Sequence, residues 1–349
     1  MPARIDTAVG AAHTQMLGLG VYRPERIVPN SEIVGPIDSS DEWIQTRSGI
    51  RARRFASGGR GSADPESVIG MATEAGRRAL AASNLDADQI GAVVLATSSQ
   101  MVLGPSAGAV VATNLGMSDT AAFDVSAGCA GFCYALANAS HMVRAGIAQY
   151  VLVIGVERLT DLLDPTDRSC AFIFADGAGA VVVGPSEEEG IGPVAWGSDG
   201  SQTAAIKQDK DFQEFFAEVA EKGAEAGRPF IRMQGTAVFR WAATFLEKAC
   251  RDALDKAGVS AEDLDVFVPH QANSRITDAL VRVLKMPENV VVAKDIAEAG
   301  NTSAASIPLA MDQVLRTGGA QPGDTALLMG FGAGLAYAGQ VVRLPRIAE

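Results

Sequence analysis

The sequence predicts an α/β fold in stacked layers, built from two similar halves. Three observations carry this reading. Stretches of helical periodicity alternate with short apolar runs along the 349-residue chain. The apolar runs are continuous and rich in Val, as expected of strands covered on both faces. The chain also resembles itself at an offset of 174 residues, close to half its length of 349. Ala79–Ile90 (ALAASNLDADQI) matches Ala253–Leu264 (ALDKAGVSAEDL), and Tyr150–Val156 (YVLVIGV) matches Asp324–Gly330 (DTALLMG). A duplicated unit is the simplest account.

The elements follow in order. Helix Glu66–Ala82 carries apolar residues at three- and four-residue spacing and leads through a turn into strand Ala92–Ala96. Strand Ala121–Val125 runs into helix Ala130–Arg144, and strands Val151–Gly155 and Ala180–Val183 close the first half. The second half repeats the scheme. Its helices are Ala237–Ala257, Asn273–Leu284 and Ser303–Leu315, and its strands are Val266–Val268, Val290–Ala293, Ala326–Met329 and Gln340–Val342. The division falls between residues 185 and 186, giving halves 1–185 and 186–349. The charged stretch Gln208–Arg228 interrupts the pattern and reads as an insertion covering one face, in its plainest form a solvated helix.

Composition narrows the function. The chain has 29 Lys+Arg against 41 Asp+Glu, a net charge of −12, so a nucleic-acid partner is not expected. With 48% hydrophobic and 20% charged residues it is not a disordered chain. Four Cys are too few for a disulfide scaffold. No run of 18 apolar residues occurs, so no membrane span is expected. The N-terminus, MPARIDTAVGAAHTQ with Asp6, does not read as a signal peptide. A soluble, cytoplasmic protein is the expectation.

Few residues are candidates for chemistry. Of the three His, His13 falls in the N-terminal arm and His141 inside a helix, where packing or surface roles are the default. His270 directly follows strand Val266–Val268, and carboxyl ends of strands are where α/β sheets place catalytic groups. Free Cys are usually small buried hydrophobes, which suits Cys133, Cys170 and Cys250. Cys129 differs. It stands in AAFDVSAGCAGFCYAL, where a strand ends, Gly128 and Gly131 flank the thiol, and a helix begins. That is the context of a nucleophile elbow. The positive end of the helix dipole is expected to favour thiolate, and the flanking Gly let a substrate carbonyl approach the backbone. GNTSAAS (Gly300–Ser306) follows a strand and opens a helix, with Asn301 or Thr302 as a plain N-cap on the simplest view. MGFGAG (Met329–Gly334) is a Gly-rich turn without the spacing of a dinucleotide or Walker loop. No cluster has metal-ligand spacing, so no metal is expected.

Together these elements resemble the thiolase-like condensing enzymes, and within them the beta-ketoacyl-ACP synthase III family. The resemblance runs nearly end to end: Leu17–Pro24, Ile37–Ile50, Phe123–Phe132, Asp164–Arg168, Phe174–Ala180, Val268–Ile276, Gly300–Ser306 and Gly330–Gly334. It implies a thiolase-like five-layer α/β/α/β/α fold from two duplicated halves. A thiolase would carry a second Cys in the C-terminal Gly loop, and Met329–Gly334 has none. Elongating synthases show a Cys-His-His pattern, whereas this chain supplies Asn301. A non-catalytic relative would have lost Cys, His or Asn. A polyketide starter-unit ketosynthase or a chalcone-synthase-like enzyme is the alternative.

The resemblance also implies roles. Cys129 attacks an acyl-CoA thioester, and the backbone N–H groups of Cys129 and Ala333 form the oxyanion hole. Malonyl-ACP then loses CO₂, and His270 and Asn301 donate hydrogen bonds to the enolate oxygen. Attack on the acyl group gives 3-oxoacyl-ACP and starts fatty-acid synthesis, with no metal or cofactor. Trp43 and Arg168 hold the CoA adenine, Arg47 meets its phosphates, and Gly235, Phe239 and Asn273 line the pantetheine tunnel. Arg275 meets the acidic carrier protein. Since the net charge opposes both anionic substrates, local basic groups must attract them, and Arg47, Arg51, Arg53 and Arg54 form one candidate cluster. The family is dimeric. Its loop Thr97–Ser106 closes the partner's acyl pocket, where Gly104 is the gate; Ser99-Gln100 replaces the family's usual Thr-His pair. Cys129→Ser is therefore expected to abolish acyl transfer from CoA, and iodoacetamide to label Cys129 ahead of the other thiols by peptide mass analysis. Rapid labelling of Cys170 with Cys129 inert would refute the assignment.

Overall fold

The structure is a computed structural model, and it describes residues 8–58 and 63–348. The first residues of the N-terminal reading, Asp6 among them, lie outside the described residues. Two mixed sheets form the frame. The first has six strands in the order Arg346–Ile347, His13–Tyr22, Asp176–Ser186, Tyr150–Arg158, Ile90–Ala96 and Ala121–Val125. The second has five, in the order Val291–Val292, Val266–Pro269, Thr325–Gly332, Ala336–Arg343 and Ala195–Ser198.

The two sheets repeat one scheme. Ile90–Ala96 pairs in parallel with both Ala121–Val125 and Tyr150–Arg158, and the antiparallel Asp176–Ser186 and His13–Tyr22 follow. Val266–Pro269 pairs in parallel with both Val291–Val292 and Thr325–Gly332, and the antiparallel Ala336–Arg343 and Ala195–Ser198 follow. The matched segments Tyr150–Val156 and Asp324–Gly330 occupy equivalent central strands. Only the C-terminal Arg346–Ile347 crosses over, adding to the first sheet.

Helices fill the remaining layers. Gly131–Arg144 and Ser306–Arg316 lie between the sheets, and one buried cluster joins Phe132 and Leu136 to strand residues of both halves. Val68–Ser83 covers the outer face of the first sheet with Met71, Ala72, Ala75 and Ala79. Gly235–Ala257 and Ser274–Leu284 cover the second with Leu246, Cys250 and Leu280. Small residues set the spacing of these layers. A Cβ on Gly20 would lie 2.3 Å from the Ala79 nitrogen and 2.4 Å from the Ala75 oxygen, so the outer helix rests directly on the strand.

Strand His13–Tyr22 escaped the sequence reading because glycines interrupt its apolar run. His13 begins that strand, paired with Ser186, rather than lying in a free arm. Strand Ala121–Val125 has the expected bounds but is not covered on both faces. It is the sheet edge, and Phe123 is 39% exposed. An apolar run alone does not distinguish an edge from a centre. The segment after Gln208 forms helix Phe212–Lys222, opened by a capping box of Asp211 and Glu214, with no residue buried. No helix among the described residues is long and apolar enough to cross a membrane.

Gly20→Val is expected to destabilise the protein by about 3 kcal/mol, since the clash is with helix backbone that cannot swing aside. An unchanged melting temperature would show that the layers are not set there.

Candidate active site

The Cys129 loop begins where strand Ala121–Val125 ends. A 3₁₀ turn, Gly128–Ala130, passes straight into helix Gly131–Arg144. The second half closes over the thiol from the end of strand Thr325–Gly332. A Cβ on Gly332 would lie 2.7 Å from the Cys129 Cβ and 2.8 Å from its sulfur, so only glycine admits this approach. The backbone N–H groups of Cys129 and Ala333, together with the Ser303 hydroxyl, favour the charged form of the sulfur. Burial outweighs them and pushes the thiol up to about 12. The N–H groups at the helix start favour thiolate as expected, and desolvation of the buried sulfur opposes them. All four thiols are buried, but Cys129 keeps 8% exposure while Cys133, Cys170 and Cys250 keep 0%.

His270 leaves the end of strand Val266–Pro269, its N–H donating to the Met329 carbonyl at 2.8 Å. Its ring meets the Phe331 ring edge-on at 5.2 Å, and burial pushes its pKa down to about 3. The imidazole is neutral at physiological pH. Nδ1 lies 2.6 Å from Ser306 Oγ, which accepts from the Gln271 N–H at 3.3 Å. No other acceptor for the Ser306 hydrogen is found among the described residues, so this O–H donates to Nδ1. The ring proton is thereby assigned to Nε2, which makes the imidazole a donor on its other side.

Asn301 is tied to the first half, its N–H donating to Ile173 O at 2.9 Å and its carbonyl accepting from Ala175 N at 2.8 Å. Oδ1 accepts the Ser303 N–H at 2.8 Å, so the simple capping role is present too. Its Nδ2 has no acceptor among the described residues. Cys129, His270 and Asn301 all line one chamber of ≈ 80 Å³, with Gly235, Phe239 and Asn273 in the same wall.

A groove of ≈ 390 Å³ adjoins it, walled by Trp43, Arg47, Arg168 and Arg275 and sharing Gly235, Phe239 and Asn273. Arg168 and Arg47 lie over the Trp43 ring at 4.7 and 5.5 Å, and Arg275 over Phe239 at 5.3 Å. No carboxylate pairs with these three arginines among the described residues. Arg232, nearby, instead holds Asp164, Asp167 and Asp209, each at 3.0 Å. Asn273 spends both ends of its amide on the fold, accepting from Arg275 N and donating to Arg47 O, each at 2.9 Å.

The basic cluster does not form. Arg53 is wholly buried, donating to Val28 O, Asn30 Oδ1 and Phe172 O. Arg51 pairs with Glu298 at 2.7 Å, and Arg54 donates to Pro24 O at 2.8 Å. Alternation along strand Ala52–Arg54 sends Arg53 and Arg54 to opposite faces, and of the four arginines only Arg47 lines the groove. Gly104 lines neither cavity within one chain, and its loop is exposed at Met101, Val102 and Leu103. Among the described residues no group of three or more His, Cys, Asp or Glu could hold a metal.

Three site residues went unremarked in the sequence. Ser303 and Ser306 stand inside GNTSAAS, where their hydroxyls gave no separate signal. Glu157 ends strand Tyr150–Arg158, and an ionisable residue at a strand's carboxyl end was a usable signal.

Comparison with known proteins identifies the family of the chain. The family model for 3-oxoacyl-[acyl-carrier-protein (ACP)] synthase III matches residues 123–200, and its C-terminal counterpart matches residues 254–344. Beta-ketoacyl-[acyl-carrier-protein] synthase III of Streptomyces glaucescens is 52% identical over 343 residues, spanning 98% of this chain and 100% of that protein. The chain belongs to the beta-ketoacyl-ACP synthase III family. Two solved structures carry the same fold. The priming beta-ketosynthase of the R1128 polyketide pathway aligns with a TM-score of 0.92 at 43% identity, over 100% of both chains. The synthase III of Pseudomonas aeruginosa PAO1 aligns at 0.86 and 37% identity, over 97% of this chain and 100% of that one. The five-layer fold and the resemblance drawn from the sequence are both borne out.

The synthase III site suggests a test of the imidazole. Ser306→Ala removes the donor that holds the proton on Nε2, and malonyl-ACP decarboxylation is expected to fall about 10²-fold. Because His270 titrates near 3, the unmodified enzyme is expected to decarboxylate at a constant rate from pH 5 to 7.5. An acid limb centred near 6.5 would show that the imidazole is not held neutral.

Proposed function

We propose that this synthase III condenses an acyl-CoA starter with malonyl-ACP, giving 3-oxoacyl-ACP, CoA and CO₂ and initiating fatty-acid synthesis. The observation that carries the reading is the convergence of Cys129, His270 and Asn301 on one buried chamber. The backbone N–H groups of Cys129 and Ala333 act at the same sulfur. Cys129 takes the acyl group from CoA, and those two N–H groups bear the tetrahedral oxyanion. After decarboxylation the enolate oxygen receives hydrogen bonds from His270 Nε2 and Asn301 Nδ2. Neutral donors suit this step, since a carboxylate would repel the developing charge. Attack on acyl-Cys129 then forms the new carbon–carbon bond.

CoA lies in the outer groove, its adenine against Trp43 and Arg168 and its phosphates near Arg47. The pantetheine arm passes Gly235, Phe239 and Asn273, and Arg275 meets the carrier protein. These three arginines, without a carboxylate partner among the described residues, give an anion-attracting mouth on a chain of net charge −12.

A homodimer completes the site. The edge strand Ala121–Val125 has one unpaired side and the exposed Phe123, and Met101, Val102 and Leu103 stand 47%, 54% and 91% exposed. An open edge beside an apolar loop suits a second copy of the chain. In that dimer the loop brings Gly104 to the partner's acyl pocket, where the absent side chain leaves depth for branched or longer acyl groups.

A second reading, a polyketide starter-unit ketosynthase, is favoured by the likeness to the R1128 enzyme. It shares the chemistry and differs in carrier. A graded series of acyl-CoA starters, assayed with malonyl-ACP and with malonyl-CoA, tests both. Each methylene accepted is expected to contribute about 0.8 kcal/mol, roughly fourfold in affinity. Gly104→Phe is expected to lose C8–C12 activity and keep acetyl activity. Equal product from malonyl-CoA would favour a chalcone-synthase-like enzyme, and a wild type refusing chains beyond four carbons would remove Gly104 as the gate.

A further inference from the structure

One buried charged group has no part in these steps. Glu157 is 0% exposed, and no Lys or Arg pairs with it among the described residues. It lines neither the chamber nor the groove. Neutral donors from both halves hold it instead. The Ser98 N–H spans its two oxygens at 3.2 and 3.1 Å, and the Ser99 hydroxyl donates to Oε2 at 2.6 Å. The Ser303 hydroxyl, from the second half, donates to Oε1 at 3.0 Å. A carboxylate accepts on both oxygens and donates from neither, which suits this set of donors.

Ser303 stands beside one of the two enolate donors. The backbone of Asn301 is pinned by Ile173 and Ala175, which fixes where its side chain starts but not which way the amide turns. The Ser303 N–H sets that, donating to Oδ1 at 2.8 Å. An N–H can bond only the oxygen of an amide, so this bond leaves Nδ2 for the chamber that Asn301 lines. Turned over, the amide would present Oδ1 to the enolate oxygen, and two acceptors repel. The hydroxyl of Thr302, between the two residues, is buried without a partner among the described residues, so it does not hold the amide. Ser303 itself has a φ of 48°, in the left-handed region that a residue with a Cβ keeps only when its surroundings impose it. Its hydroxyl bond to Glu157 supplies that support.

We propose that Glu157 is a positioning residue for Asn301, holding Ser303 by its hydroxyl and so keeping the Asn301 amide turned with Nδ2 toward the chamber. This rests on the condensation reading above, in which that Nδ2 serves the enolate oxygen. Glu157 moves no proton and meets no reacting atom. Ser98 and Ser99 anchor it in the first half, and its free side reaches 146 positions along the chain to Ser303. The arrangement parallels the pair of Ser306 and His270. Each enolate donor is fixed from the side away from the substrate, one by a choice of tautomer and the other by a choice of amide face.

The test measures malonyl-ACP decarboxylation in wild type, Ser303→Ala, Glu157→Ala and Glu157→Gln, each with and without Asn301→Ala. Alone, Ser303→Ala and Glu157→Ala are expected to lower kcat about 10²-fold, with KM for malonyl-ACP unchanged and a smaller fall in acylation of Cys129 by acyl-CoA. With Asn301→Ala already present, the same changes are expected to cost less than about twofold, because the amide they orient is gone. Glu157→Gln is neutral but still bonds both loops, and it is expected to lose less than about tenfold. Losses as large beside Asn301→Ala as in wild type overturn the assignment, and so does an equal fall of both half-reactions. Glu157→Gln as slow as Glu157→Ala overturns it too, since charge rather than position would then be the need. Should Glu157→Ala not fold, the Ser303→Ala cycle decides. The crystal structure of Ser303→Ala gives a readout without activity. The Asn301 side chain is expected to leave its place or to split over two positions, and an Asn301 held as in wild type overturns the proposal. A wild type that does not decarboxylate malonyl-ACP would instead remove the condensation reading, and the crystal structure would still decide the positioning role.

Discussion

The approach of Gly332 to Cys129 is the contact on which the rest of the site depends. The thiol belongs to the first half and the loop over it to the second, with no room for a Cβ between them. That contact requires the central helices Gly131–Arg144 and Ser306–Arg316 to pack tightly between the two sheets. The shared cluster of small and branched side chains fixes their separation, since close-packed interiors do not stretch to fit. Asn301 reinforces the seam from the other side, bonded by its backbone to Ile173 and Ala175 of the first half.

The seam has an electrostatic consequence. The chamber is walled by residues of both halves and by the outer helices of the second, and burial there suppresses charge. The Cys129 thiol is raised to about 12, His270 is lowered to about 3, and Glu157 is raised to about 7. Burial thus disfavours the charged form of the nucleophile and of the imidazole alike. A neutral imidazole with its proton fixed on Nε2 serves an enolate oxygen well, because it donates without a charge that would need solvating.

The surface follows another logic. The chain carries a net charge of −12, yet Arg47, Arg168 and Arg275 at the groove have no carboxylate partners among the described residues. Arg232 gathers Asp164, Asp167 and Asp209, so those three carboxylates are already paired. Local field, not overall charge, sets which ligands approach a cleft.

The sequence alone determined the α/β class, the duplication, the elbow at Cys129 and the placement of His270 and Asn301 at element ends, while the five-layer order came through the family resemblance. Such features are local: periodicity, a strand-to-helix turn and a repeat offset are all read from neighbours in the chain. Strand His13–Tyr22 went unrecognised although Leu17–Pro24 carries part of the family resemblance, hidden by glycines that contact the distant Ala75 and Ala79. Tertiary structure alone decided the rest. It buried Arg53 away from the groove and left Ala121–Val125 at an open edge. It also set Glu157 against Ser303, 146 positions apart in the chain. Burial, pKa and hydrogen-bond partnership depend on which segments meet across the two halves, and that meeting is set by packing over distances no local pattern encodes.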